Sequence, residues 1–377
     1  MVAAFDELLT LTAEHAHDAN EAGRLDDDVA ARFAPAGINR ALLPEALGGD
    51  QLDPGALYEM VARIGEVDGS TAWCAAISAG SGVFSGYISE AGAREVFTDP
   101  DAGNAAMFAP AGVAVRANGK ATAVLNGRWP FVSNCQHAQA IGLGAFVQNA
   151  DGEHEPIPRL VVVPADAVVI EPTWVSAGLR ATGSHHVRVE NVEFDLARAC
   201  TFGDTPWPSG ALWNTPLFSV LGPVLVAAPM GVARGAIAEV QRMVVDGAGG
   251  MRGTLADDPV ALAELAVTES ALRAAEAGLL HATALIWERA SAGERASRQL
   301  QARAFLSVHH ALDTAVHATS EAHRLAGGSA AYLGHPLLDR LADVQAARQH
   351  IMFAHLHRPA LERIAAGIDQ IAPPFVL

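Results

Sequence analysis

The sequence predicts an α+β chain: an N-terminal helical stretch, a small β region, then a four-helix bundle. Three observations predict it. Apolar residues recur at helical spacing at both ends, for example Phe5, Leu8, Leu9 and Leu11. Short β-branched runs separated by turns fill the middle. Between them, Trp129-Pro-Phe-Val-Ser-Asn-Cys-Gln-His137 has the pattern of a strand that ends in a polar turn. The expected domains are 1–104, 105–205 and 206–377.

Breaks at Pro35-Ala-Gly37 and Pro44-Glu-Ala-Leu-Gly-Gly49 divide the first stretch. Gly69-Ser-Thr-Ala-Trp-Cys74 opens a helix with Ser70 or Thr71 as its cap. Residues 80–86 are rich in Gly and Ser, which suits a pocket-facing loop or a kink. Strands are expected at 113–115, 121–125, 140–147, 160–163, 167–170 and 187–194, a spacing that suggests a small barrel or sandwich. The bundle helices are expected at 217–245, 259–291, 296–326 and 337–367. One seam runs through Leu262, Leu265, Leu272, Leu279 and Ile286, another through Phe305, Val308, Leu312 and Val316. Asp257-Asp258-Pro259 is a helix start, and Ala326-Gly-Gly-Ser329 a stop.

Half of the 377 residues are hydrophobic, enough for a sizeable core. Against 25 basic residues stand 42 acidic ones, and the net charge of −17 disfavours nucleic acid and anionic membranes. No apolar run reaches about 18 residues, so no membrane span is expected. The first 28 residues are acidic and lack a signal-peptide layout. Cys74, Cys135 and Cys200 are few and far apart, which points to a reducing, cytoplasmic setting without disulfides or zinc.

Trp129 and Phe131 alternate with smaller residues, which would place both rings on one face of a strand. Ser133, Asn134 and His137 add hydrogen-bonding groups at its exit. An aromatic wall ending in a hydroxyl suits a flat heteroaromatic cofactor, although a sandwich strand with a buried Trp gives the same letters. In Gly178-Leu-Arg-Ala-Thr-Gly-Ser184, two glycines allow close approach to a ligand, and Arg180, Thr182 and Ser184 can donate to it. A surface hairpin is the alternative. His185-His186 and His309-His310 lack a nearby carboxylate or Cys and are read as structural or solvent-facing. Trp207 and Trp213 line either a substrate entrance or a packed linker.

The order of these regions, with Pro44–Gly49, Phe108-Ala-Pro-Ala-Gly112, Gly127-Arg-Trp-Pro-Phe-Val-Ser-Asn134, Gly178–Gly183 and Leu325-Ala-Gly-Gly328, resembles the acyl-CoA dehydrogenase superfamily over essentially the whole chain. The resemblance implies a flavin. Phe131 would lie near its ring and Ser133 would hydrogen-bond its edge, while Phe108 and Ala109 line the other approach. Residues 324–328, with Gly327 and Gly328, would touch the cofactor of a neighbouring subunit in a homotetramer.

The dehydrogenases of this family need a glutamate base, held in one of two places. Here the matching positions are Ile351 and Leu221, with Gly222 where the family has Arg. No Glu lies between Phe194 and Ala238, or between Glu321 and Glu362. Hydrocarbon cannot accept a proton. The sequence is more similar to the branch of flavin-dependent monooxygenases, through Asp68-Gly-Ser-Thr-Ala-Trp73 and through Asp343 followed seven residues later by His350. That branch takes reduced FMN or FAD from a separate reductase and forms a C4a-hydroperoxide with O2. The implied substrate is a small molecule, aromatic or a secondary metabolite. His350 is the first candidate catalytic residue and His137 the second; a surface or subunit-contact histidine is the plain alternative for His350. Two other readings stay open: a dehydrogenase with a displaced base, and a catalytically silent homologue.

Overall fold

The computed structural model describes residues 2–116, 120–149, 151–247, 249–250 and 253–368. Helices α1 (Val2–Ala22), α2 (Asp27–Arg32), α3 (Pro54–Val67), α4 (Gly69–Gly82) and α5 (Glu90–Val96) precede the strands. Strands β1 (Gly103–Arg116), β2 (Thr122–Val132), β3 (Ala138–Gln148), β4 (Arg159–Pro164), β5 (Val169–Glu171), β6 (His185–Asp195) and β7 (Ala199–Cys200) follow. Then come α6 (Ala211–Asn214), α7 (Leu217–Val245), α8 (Pro259–Ser291), α9 (Arg298–Leu325), α10 (Pro336–Ala347) and α11 (Arg358–Ala365). The chain forms two compact units: one of residues 1–53, 74–175 and 181–214, the other of 54–73, 176–180 and 215–377. The N-terminal helices are thus shared between the units.

In the first unit the strands make one sheet in the order β5-β6-β2-β1-β3-β4-β7. Among the described residues, only β1 and β3 pair in parallel. Leu125, Trp129, Leu143, Val161, Val187 and Phe194 fill one core, and Ile170 and Ala199 from the two edge strands pack on the same core. The sheet therefore curls around its own side chains. The Gly80–Gly86 stretch is not a loop. It is the buried end of α4 and a 3-10 turn, Val83–Gly86. Small residues there let neighbours press on the backbone: a Cβ at Gly86 would collide with the Trp213 indole. Trp213 is itself buried and donates to Gln51, so it serves packing.

The second unit is a helical bundle with α3 laid against α7. A Cβ at Gly231 would strike the Ala62 carbonyl, which explains the small residues at this crossing. Helix α7 is long and apolar enough by composition to cross a membrane, its 29 residues having a mean hydropathy of 1.6 in the richest window. Ser219, Gly222, Pro223 and Pro229 interrupt the apolar run without adding charge. That window is 94% buried within the fold, so α7 is a core helix.

Both seams are present, except that Leu262 is 36% exposed. Asp258 caps α8 as expected. The cap of α4 is Asp68, whose Oδ2 accepts the Thr71 N–H and hydroxyl at 2.7 Å each, rather than Ser70 or Thr71. The fourth bundle helix is broken. After α10 come two 3-10 turns, Ile351–Phe353 and His355–His357, before α11. His350 caps the first turn with its side chain, and Pro359, which lacks an N–H, suits the first turn of the new helix.

Candidate active site

The expected cofactor strand is re-aimed by a β-bulge. Trp129 pairs with Val187 and Val132 with His185, so Pro130 and Phe131 together oppose His186. Phe131 takes a φ of 61°, a region bulky residues rarely enter. The period-two expectation fails at this point. Trp129 points inward, is 0% exposed, and donates its indole N–H to the Gly144 carbonyl at 2.7 Å. It is a core residue with no face to offer a cofactor. Phe131 points outward and is 57% exposed.

Two residues missed by sequence reasoning flank Phe131. Trp174 stands at 6.2 Å and 78° to its ring, and His186 at 5.8 Å and 88°. His185 holds this arrangement, because its Nδ1 accepts the N–H groups of Thr173 and Trp174 at 3.2 and 3.1 Å. The structural role expected of His185 holds, whereas His186 belongs to the aromatic platform. The available signal was Pro130, which removes an N–H from the ladder just before Phe131.

Next to the platform lies a buried chain of hydroxyls. Ser133 Oγ is 2.7 Å from Ser184 Oγ, which is 2.7 Å from Thr182 Oγ1. Asn134, in a left-handed conformation, donates its N–H to the Thr182 carbonyl and its Nδ2 to the Asn104 carbonyl, both at 3.1 Å. The strand exit and the 182–184 turn are thereby locked together. Arg180, expected beside them, is exposed.

Other candidates fall as follows. In β1 the four residues 108–111 bulge opposite Gly144. Phe108 meets Phe84 at 5.2 Å and Phe202 at 5.4 Å, ring to ring, while Ala109 is exposed. His137 is anchored to the chain: Nε2 lies 3.1 Å from the Leu25 carbonyl and Nδ1 3.6 Å from Asp27. Burial lowers its pKa, with the Arg24 charge adding to the effect. Its contact with the Leu25 carbonyl through Nε2 makes it a strut between the strand exit and the Leu25 segment. Gly327 and Gly328 open the 3-10 turn after α9, and a Cβ on either would meet nothing within 4 Å.

In the second unit, Gly178 does make a close approach, but to the chain itself: a Cβ there would overlap the Ala342 carbonyl. Asp343 Oδ1 accepts the Leu179 N–H at 2.6 Å and holds Leu179 at a φ of 50°. Burial, and then the Asp68 charge, push the Asp343 carboxyl up to about 8. Seven residues on, half-buried His350 packs edge-on against Trp73 at 5.4 Å and Phe353 at 6.0 Å. Burial takes its pKa down to about 4, so it is neutral at physiological pH. At the dehydrogenase base positions, Leu221 is 2% exposed inside the bundle and Ile351 is an exposed hydrocarbon. A Cβ on Gly222 would press on Phe305 and Val308 at 3.1 and 3.2 Å, leaving no room for an Arg.

An exposed aromatic ring held by a bulge beside a buried hydroxyl chain fits a flat ring system with polar edges, as a flavin is. Residues 224–355 match the family model of the acyl-CoA dehydrogenase C-terminal domain. The chain is 31% identical to an indole-3-acetate monooxygenase of Pseudomonas putida over 329 residues, covering 86% of this chain and 82% of the relative. The chain belongs to the flavin-dependent monooxygenases of the acyl-CoA dehydrogenase superfamily. The monooxygenase is also 29% identical over 357 residues to the oxygenase subunit HsaA of Rhodococcus jostii, with 92% of each chain covered. The crystal structure of a 3-HSA hydroxylase from Rhodococcus sp. RHA1 superposes with a TM-score of 0.90 at 25% identity, covering 99% of this monooxygenase and 98% of that chain. Its cofactor is therefore reduced flavin and its reaction an oxidation with O2.

Proposed function

We propose that this monooxygenase hydroxylates or N-oxidises a small aromatic substrate, using reduced FMN or FAD delivered by a separate reductase, and works as a homotetramer. The observation that carries this is an exposed aromatic platform at Phe131 in a chain that has hydrocarbon, Leu221 and Ile351, at both positions matching a dehydrogenase carboxylate. Reduced flavin, when bound, would supply two electrons that take one atom of O2 to water, while the substrate gives two to the atom it gains. The protein's part is to bind, orient and keep dry. Phe131, Trp174 and His186 give the ring system an aromatic surface. Ser133 offers its edge a hydroxyl, backed by Ser184 and Thr182. Phe84, Phe108 and Phe202, with centroids 5.2 to 6.1 Å apart, supply an aromatic cluster suited to an aromatic substrate. His350, in the second unit, is taken as the catalytic imidazole, neutral at physiological pH. Exposed Tyr332 and Leu333, 75% and 95% accessible just after Gly327 and Gly328, support a subunit contact there.

The test is a reductase-coupled assay under isotopically labelled O2 with a panel of phenols and indoles. One labelled oxygen atom per product is expected. Flavin reduction by acyl thioesters, with no labelled product, would overturn the proposal.

A further inference from the structure

We propose that His350 is a fixed hydrogen-bond donor and not a base: the Met352 backbone N–H occupies Nδ1, so the ring proton resides on Nε2. This rests on the reading that His350 serves the reacting oxygen. The geometry begins with the break after α10. His350 has extended backbone angles, φ −64° and ψ 139°, and caps the turn Ile351–Phe353. Its Nδ1 accepts the Met352 N–H at 3.3 Å. That bond requires a lone pair on Nδ1, and a neutral imidazole carries one proton. The proton therefore sits on Nε2. To act as a base, the ring would have to take a second proton on Nδ1 and give up the cap, or move its proton from Nε2 to Nδ1. The second course sets two N–H groups against each other and breaks the cap. The first places a charge between Trp73 and Phe353, where burial already holds the pKa down to about 4. Burial is the cause of that shift, with no carboxylate opposing it.

Neutral at physiological pH, the ring donates from Nε2 to an acceptor oxygen. A proton lost from a substrate hydroxyl or N–H must then leave by another route.

Two measurements test this. A neutron structure of the ligand-free protein, exchanged into heavy water near neutral pH, should show deuterium on Nε2 of His350 and none on Nδ1. Deuterium on Nδ1 would overturn the proposal, whatever the enzyme's substrate proves to be. The second measurement separates cap from donor. His350→Asn keeps an acceptor where Nδ1 stood, since Asn is a good N-cap. His350→Gln carries an amide donor out toward Nε2 and gives up the cap. The Asn variant should melt like the parent yet lose about tenfold or more in product per reduced flavin, roughly 1.4 kcal/mol. The Gln variant should melt lower and keep product yield within about threefold. Equal loss of product in both would overturn the donor role. If no substrate is oxygenated at all, the proposed function fails, while the deuterium position still decides the tautomer.

Discussion

Phe131 and Trp129 are two residues apart and do opposite work. The letters Trp-Pro-Phe-Val-Ser show an aromatic strand with a polar exit, and both features exist. They do not show the bulge, because a bulge depends on how many residues the partner strand spends opposite it. His186 alone faces Pro130 and Phe131. The two rings should therefore separate by mutation. Phe131→Ala should leave the melting temperature nearly unchanged and weaken reduced-flavin binding about tenfold, from roughly 1.4 kcal/mol of lost ring contact. Trp129→Phe should do the reverse, costing about 2 kcal/mol of stability by removing indole volume and the bond to Gly144. Flavin titration by fluorescence alongside thermal melts checks both. His137 shows the same limit of sequence reading: its place after the strand was visible, but its tether to Leu25 and Asp27 comes from an element more than a hundred residues away.

At the scale of elements, the strands and the three long bundle helices were legible, because pattern and caps report them directly. The broken fourth helix was not. Apolar spacing continues through 337–367, and the break is made by one histidine cap and one proline. Helix α10 also carries Asp343, which joins the 178–180 segment to the bundle through the Leu179 N–H. Its carboxyl has a usual pKa of 3.8 and is raised to about 8 by burial and Asp68. The sign follows from linkage. Below 3.8 both folded and unfolded forms are protonated, and stability does not change with pH. Between 3.8 and about 8 only the folded form keeps the proton, so stability falls as pH rises, and it levels off above that window. Asp343→Asn retains an acceptor for Leu179 and has nothing to titrate. Its melting temperature should decline less than the parent's from pH 5 to pH 8, values chosen inside the window set by the shift. Parallel curves for the two proteins would remove Asp343 from this account.

Across the whole molecule, acid should act through histidines buried in the neutral form. His309 is 2% exposed, packs on Phe305 at 5.5 Å, and has no hydrogen-bond partner for either ring nitrogen among the described residues. Burial first, then Arg358 and His357, lower its pKa to about 4, and burial does the same for His350. Unfolded, both titrate near 6.5. Their stabilising contribution is complete above that value and is lost as pH falls toward 4. His309→Leu should therefore unfold at lower pH than the parent in an acid titration followed by circular dichroism, and an unchanged midpoint would refute it. The superfamily was legible because five motifs appear in order. The aromatic platform was not, because Trp174 and His186 come from another strand and its preceding loop.

The most direct test of the account concerns oxygen. Protein and reduced flavin are mixed anaerobically, then pulsed with oxygenated buffer in a stopped-flow spectrometer. A near-ultraviolet absorbance distinct from that of oxidised flavin, and outlasting the same signal in free solution, is the predicted result. Return of the oxidised-flavin spectrum at the rate of free flavin would contradict it.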